Sequence, residues 1–225
     1  MFDLGLLIQE IEGAGPLIPV WFYLFSAIAY GLAALISLFI SYFSYKLYRA
    51  SNIKNHKFLS IAFAALGIAY LVLIFTSMYT YFYHPYLRGY YNLGDVNRTG
   101  YGFYYVAALT SYVLLFFMQL PEGKKIFPVL FVPIWYVDLT EFHAVAIFLL
   151  GFVAIKSFLN YLKLKSANSF LVFFAFLMMT VFHLFLMLIP FNAVLYLAAH
   201  SFLLIGFGSL LLTLIRVNRS GGKKK

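Results

Sequence analysis

The longest part of this sequence without a charged side chain extends from residue 166 to residue 215. A helix needs about 20 mostly apolar residues to cross the hydrocarbon core of a bilayer, so this run is long enough for two crossings. Three further charge-free runs cover 13–45, 58–87 and 99–121. The whole chain is 64% hydrophobic and 10% charged, whereas a water-soluble domain is about half apolar and about a quarter charged. These features predict an all-α, polytopic integral membrane protein of the cell membrane.

Turn signals divide the apolar runs into a predicted seven-transmembrane-helix bundle, with a tight turn at 190–192 between the last two helices. The predicted helices are 17–45, 57–83, 101–120, 124–139, 142–163, 168–189 and 193–216. Pro128 and Pro133 interrupt the hydrogen-bond ladder of the fourth helix, so we expect this helix to be kinked or short. The predicted regions are an outer amphipathic segment at 1–16, the seven-helix domain at 17–216 and a basic cytoplasmic tail at 217–225.

The basic residues give an independent test of the helix count, because Lys and Arg concentrate in the cytoplasmic loops of membrane proteins. With seven crossings, fourteen of the sixteen basic residues fall on one side, and only Arg88 and Arg98 fall on the other. The N-terminus is therefore predicted outside and the C-terminus in the cytoplasm. Topology explains the net charge of +9, so the expected partner is the lipid bilayer and not nucleic acid.

Two histidines are predicted at matched depth in the last two helices. His183 precedes the 190–192 turn by seven residues and His200 follows it by eight, which places both rings about 10–12 Å below the outer helix ends at a rise of about 1.5 Å per residue. Buried polar groups are usually just hydrogen-bonded, but ionisable groups at membrane depth also mark functional sites. His183 and His200 are therefore the candidate cofactor-binding residues. The candidate ligand pocket adds Thr180, Asn192 and Tyr196.

Asp138, Glu141 and His143 come from the turn between predicted helices 4 and 5, at the same outer end. Imidazole and carboxylate are suitable ligands for zinc, copper or iron, and paired histidines can bind haem axially. These three residues complete a candidate metal site with His183 and His200, although the spacing of the five matches no recognised metal motif. The cofactor remains open between a metal ion and haem.

The sequence contains no hydrolase, P-loop or dinucleotide-binding motif, so no catalytic residue is assigned and a non-enzymatic function is favoured. In outline the predicted bundle resembles a microbial rhodopsin, but that family needs a Schiff-base lysine in the last helix. Here Lys223 to Lys225 lie beyond that helix and Lys156 lies in the fifth, so retinal is not expected. Asn97 begins a glycosylation sequon on the predicted outer side.

Residues 41–72 contain the stretch "SYKLYRASNIKNHKFLSIAFAALGIAYLV", in which a basic helix end with tyrosines precedes a short polar turn and an Ala-rich helix. This pattern resembles small uncharacterised archaeal seven-helix membrane proteins and the seven-helix sensor regions of histidine kinases. Because the sequence ends nine residues after Arg216, the resemblance implies a sensor, receptor-like or assembly subunit that acts through a separate protein partner or a homo-oligomer.

Two alternatives stay open. A small-solute or ion transporter would use the interrupted fourth helix, because such helices often line transport sites. A metal- or haem-binding membrane redox protein would use the histidines near the outer side.

Overall fold

The computed structural model describes residues 21–83, 92–120, 139–189 and 194–221. In these residues the chain forms six helices: α1 (Trp21–Ser51), α2 (Lys54–Tyr83), α3 (Asn92–Met118), α4 (Leu139–Leu164), α5 (Ala167–Met187) and α6 (Val194–Gly221). Each helix is long and apolar enough to cross a membrane. The all-helical class is thus as predicted, and the apolar helices fit a multi-pass membrane protein.

The six helices correspond to predicted helices 1, 2, 3, 5, 6 and 7. Predicted helix 4 lies outside the described residues, apart from Leu139, where α4 begins. The predicted outer segment 1–16 also lies outside them. Several helix ends differ from the prediction. The largest differences are that α3 begins at Asn92 and not at residue 101, that α1 continues to Ser51 and does not end at residue 45, and that α6 continues to Gly221 into the predicted tail.

Tight turns join α1 to α2 and α4 to α5. Asn52 and Lys165 adopt left-handed conformations with φ of 55° and 48°, and the N–H of each bonds at 2.7 Å to the carbonyl four residues earlier. This arrangement ends an α-helix by satisfying one of its last carbonyls. Ser166 then caps α5, because its hydroxyl accepts a hydrogen bond from the N–H of Ser169. Each turn reverses the direction of the chain.

The helices form a closed ring in chain order, because each helix packs against the next and α6 returns to α1. Aromatic side chains fill the interior of the ring. Tyr70 of α2 contacts Phe207 of α6 with ring centroids 5.8 Å apart. Tyr112 of α3 contacts His183 of α5 at 5.3 Å. These contacts connect helices that are not neighbours in the chain.

Ring contacts determine the relative direction of α3 and α4. Tyr105 stacks on Phe142 with centroids 4.2 Å apart, and Phe116 contacts Phe152 at 4.6 Å. Because the residue numbers increase together on the two helices, α3 and α4 run in the same direction. The end of α3 and the start of α4 therefore lie at opposite ends of the bundle.

Helices α1 and α6 also run in the same direction, because Phe22 contacts Tyr196 and Tyr30 contacts His200. The other neighbouring helices are antiparallel. One end of the bundle thus contains the C-termini of α1, α3, α4 and α6 and the N-termini of α2 and α5. The basic residues described near this end, which we call the basic end, are Lys46, Arg49, Lys54, Lys57, Lys163, Lys165, Arg216 and Arg219.

Two glycines allow neighbouring helices to approach closely. A Cβ on Gly100 of α3 would overlap the hydroxyl of Thr76 of α2, and a Cβ on Gly206 of α6 would lie 2.9 Å from the carbonyl oxygen of Ala175 of α5. Small residues at helix contacts are the usual way in which membrane helices increase their packing. The close approach brings the interior side chains of α2, α3, α5 and α6 within reach of one another.

Candidate functional site

His143 of α4 and His183 of α5 form the centre of the candidate site. Their Nδ1 atoms lie 2.9 Å apart, and both rings are buried, His183 completely. A hydrogen bond between two imidazole nitrogens requires one ring to donate an N–H and the other to accept it. The two neutral rings therefore have complementary protonation at Nδ1, and the bond joins α4 to α5 inside an apolar interior.

The second ring nitrogen of His183 extends this connection to α3. Nε2 lies 2.9 Å from the hydroxyl of Tyr112, which is also fully buried. The hydroxyls of Tyr70 and Tyr104 lie next to that of Tyr112, although the Tyr70 hydroxyl has no well-aligned hydrogen bond among the described residues. We refer to Tyr112, His183 and His143 as the His–Tyr chain.

The His–Tyr chain has two possible hydrogen-bond directions. In the first, Tyr112 donates its O–H to His183 Nε2, and His183 donates its Nδ1–H to His143. In the second, His143 donates its Nδ1–H to His183, and His183 donates its Nε2–H to the Tyr112 oxygen. All three side chains are neutral in both states. Conversion from the first to the second takes up one proton at the Tyr112 oxygen and releases one from His143 Nε2.

Aromatic rings surround the two imidazoles. Phe142 contacts His143 and His183 with ring centroids 5.0 and 5.6 Å away, and Phe182 contacts His183 at 4.8 Å. These rings exclude water from the hydrogen bonds. In a low local dielectric such bonds are electrostatically stronger, and an unpaired polar group is more costly. The surroundings therefore favour states in which the whole His–Tyr chain is paired.

His200 of α6 lies in a separate aromatic environment. Its Nδ1 is 2.8 Å from the backbone oxygen of Tyr196, so the ring carries its proton on Nδ1. Nε2 is then an unprotonated acceptor, buried and without a hydrogen-bond partner in the described parts of the chain. The rings of Tyr196, Tyr30, Phe25 and Phe182 surround it with centroids 4.3, 5.1, 5.9 and 5.9 Å away.

The structure brings His183 to His143 and separates it from His200. Phe182 lies between the two, because its ring contacts both His183 and His200. Within the described residues, no hydrogen bond or ring contact joins His183 to His200. The two histidines, which were predicted at matched depth, therefore do not face each other.

The remaining candidate metal ligands are Glu141 and Asp138. Glu141 is exposed near the start of α4, and Asp138 lies outside the described residues. Where side chains are described, no three of the His, Asp and Glu residues lie close enough to hold a metal ion together. The metal site stays a prediction, because the described residues do not form it.

Thr180 and Tyr196 are the candidate pocket residues whose side chains are described, and they contact different helices. Thr180 donates its hydroxyl to the carbonyl of Phe176 at 2.8 Å, and its methyl group would be the nearest neighbour of a Cβ on Gly151 of α4. The hydroxyl of Tyr196 hydrogen-bonds to that of Ser26 in α1. Asn192 and the side chain of Asn97 lie outside the described part. Tyr196 is therefore the pocket residue that directly adjoins His200.

No role was predicted from the sequence for Tyr112, Tyr70 or Tyr30. Each lies within an apolar helix and is almost completely buried, whereas tyrosines of membrane proteins concentrate at the two interfaces. The sequence feature that could have identified these residues is therefore a tyrosine far from both ends of an apolar helix. It indicates a hydroxyl that must find a partner inside the bundle.

No protein-family model matches this chain, and neither does any curated protein or solved structure. The resemblance of residues 41–72 to sensor proteins stays a prediction, and the functional inference depends on the geometry described above.

Proposed function

We propose that the chain crosses the membrane seven times. Because α3 and α4 run in the same direction, residues 119–138 connect opposite ends of the bundle. These roughly 20 residues would extend about 30 Å as a helix, which is the thickness of the hydrocarbon core. The parallel direction of α3 and α4 therefore supports a crossing by the segment predicted as helix 4.

In the proposed orientation the basic end faces the cytoplasm, with the N-terminus outside and the C-terminus inside. The support is the concentration of lysines and arginines at one end of the described helices, since such residues stay on the cytoplasmic side. Arg98 lies at the other end, near the start of α3. This orientation places His143 and Glu141 near the outer surface.

We infer that the protein is a non-catalytic sensor or receptor-like subunit that acts through a partner. The observation that carries this inference is the His–Tyr chain, which joins α3, α4 and α5 and has two neutral hydrogen-bond directions. A molecular switch needs an element with two discrete arrangements that a signal can bias. A signal at the outer end of α4 would act on His143 and change which atoms donate along the chain.

The energies are of a suitable size for such a switch. A side-chain hydrogen bond between membrane helices contributes about 0.6–1.7 kcal/mol, and about 1.4 kcal/mol changes an equilibrium constant tenfold. Loss or rearrangement of one bond in the His–Tyr chain would therefore change the equilibrium between helix arrangements by about threefold to about sixteenfold. The partner would detect this shift at the basic ends of α3, α4 and α5.

Distance measurements between spin labels test this proposal. The chain has no cysteine, so Ile53→Cys and Leu164→Cys, both exposed at the basic end, give a specific label pair. We expect His183→Leu to shift or broaden the distance distribution in lipid nanodiscs. Ser201→Ala in α6 is the control, because this exposed hydroxyl bonds only within its own helix. Identical distributions for the parent and His183→Leu would contradict the proposal.

A metal- or haem-binding redox protein is the second candidate, and His200 favours it. Its buried, unprotonated Nε2 is the form of imidazole that binds metals. The test is elemental analysis and an absorption spectrum of protein purified from its native membrane. Stoichiometric metal or a Soret band that disappears in His200→Ala would support this candidate. Their absence from the parent protein would eliminate it.

A further inference from the structure

A second site lies at the basic end of the bundle, away from the His–Tyr chain. An interior cavity of about 230 Å³ is lined by residues of α1, α2, α3, α5 and α6. His56, Gln119 and Val217 are only partly buried or are exposed, and they mark its mouth. Leu115 and Phe176 also line the cavity and are buried. The cavity thus extends from the basic end into the apolar interior.

The wall and the mouth of the cavity differ in polarity. Most of the wall is aliphatic or aromatic, and the hydroxyl of Thr213 is already bonded to the carbonyl of Ser209 at 3.0 Å. At this end of the bundle, the exposed residues Lys54 and Lys57 lie on either side of His56 in the sequence of α2. The acidic side chain that the structure describes, Glu141, lies at the opposite end. An occupant with an apolar body and an anionic head would match both regions.

We propose that this cavity binds a free medium-chain carboxylate, with its tail inside and its head at Lys54 and Lys57. A water molecule occupies about 30 Å³ in the liquid and a methylene group is of similar size, so a volume of about 230 Å³ corresponds to about eight such groups. A phospholipid tail of about sixteen carbons would exceed this volume. The proposal goes beyond the sensor function and stands independently of the His–Tyr chain.

A chain-length series tests the fit. Isotope-labelled straight-chain carboxylates of six to sixteen carbons are bound to the protein in nanodiscs, with empty nanodiscs subtracted. Burial of one methylene contributes about 0.8 kcal/mol, which corresponds to about fourfold in affinity. We expect one ligand per chain, an affinity that increases about fourfold per carbon up to about eight carbons, and a plateau beyond. An affinity that increases without a plateau to sixteen carbons would indicate bilayer partitioning or a lipid-tail site and would overturn the proposal.

Two matched variants locate the binding. Val172 lines the cavity, so Val172→Phe should reduce octanoate affinity at least tenfold by filling it. Val145→Phe makes the same change on a lipid-facing position of α4 that is 39% exposed, and it should bind like the parent. Equal octanoate binding by both variants would overturn the proposal. If Val172→Phe does not fold, Leu59→Phe on the opposite wall provides the same comparison.

The head-group assignment has its own test. Lys54→Gln with Lys57→Gln should remove the preference for octanoate over octanol while leaving octanol binding unchanged, because only the carboxylate interacts with the lysines. A preference that persists in this double variant would overturn the assignment of the head to the mouth.

Discussion

The Nδ1 atoms of His143 and His183 lie 2.9 Å apart, which is a hydrogen-bond distance. Two unprotonated nitrogens would repel at this separation, and so would two N–H groups. The neutral pair therefore shares one proton between the two Nδ1 atoms. This single contact connects α4 to α5 and defines the two states of the His–Tyr chain.

Nitrogen NMR tests the shared proton directly. In ¹⁵N-histidine-labelled protein in lipid, we expect one of the Nδ1 atoms of His143 and His183 to be protonated and the other to be bare. His200 serves as an internal reference, because its Nδ1 donates to a backbone carbonyl. Spectra in which both Nδ1 atoms of the pair are fully protonated, or both are fully bare, would contradict the hydrogen bond.

Removal of the Tyr112 hydroxyl should destabilise the bundle. Tyr112→Phe leaves His183 Nε2 without its partner, and we expect a loss of about 1 kcal/mol in the free energy of unfolding. Denaturation of the detergent-solubilised protein measures this loss. Tyr42→Phe is the matched control, because Tyr42 is 60% exposed. Equal unfolding midpoints for the two variants would show that the Tyr112 bond adds no stability.

The contact between α2 and α3 predicts a strong difference between two nearby glycines. Gly100→Ala would force its Cβ into Thr76, and overpacking of this kind costs about 1–3 kcal/mol. Gly102→Ala should be nearly neutral, because its Cβ would meet no atom of the described residues within 4 Å. Adding Thr76→Ala to Gly100→Ala should recover part of the loss. A Gly100→Ala protein as stable as Gly102→Ala would disprove the close approach of these helices.

Helices α5 and α6 provide an independent pair. In Gly206→Ala, the new methyl group would meet the carbonyl oxygen of Ala175 at 2.9 Å, and a backbone atom cannot rotate away as a side chain can. We expect a loss of about 1–3 kcal/mol. Gly208→Ala, with open space around its Cβ in the described structure, should stay within about 0.5 kcal/mol of the parent. Denaturation curves that coincide for the two variants would refute this packing.

The existence of the six described helices could be predicted from the apolar runs, because a chain in hydrocarbon must satisfy its backbone groups within helices. The helix ends were less predictable. The start of α3 at Asn92 includes Gly94 and Asp95, residue types that favour turns. Extension of an existing helix adds one hydrogen bond per residue without a new nucleus, so α3 continues beyond its apolar part.

The depth of the candidate histidines could be predicted from the sequence, but the side chains that they contact could not. A fixed rise per residue places His183 and His200 at similar depth, but their directions around the helix axes decide what they contact. Helix α5 is apolar on all sides, so its sequence has no polar face to indicate which side is inward. The partners of His183 come from α3 and α4, and α3 is far from it in the chain.

The most direct test of the proposed topology is labelling of single cysteines in intact cells with a membrane-impermeant maleimide. Ile53→Cys and Leu164→Cys lie at the basic end, and Tyr83→Cys and Glu141→Cys lie at the opposite end, all at exposed positions. We expect labelling at 83 and 141 and protection at 53 and 164 until the membrane is permeabilised. Labelling that places 53 and 164 in different compartments, or both outside, would contradict seven crossings with a cytoplasmic basic end.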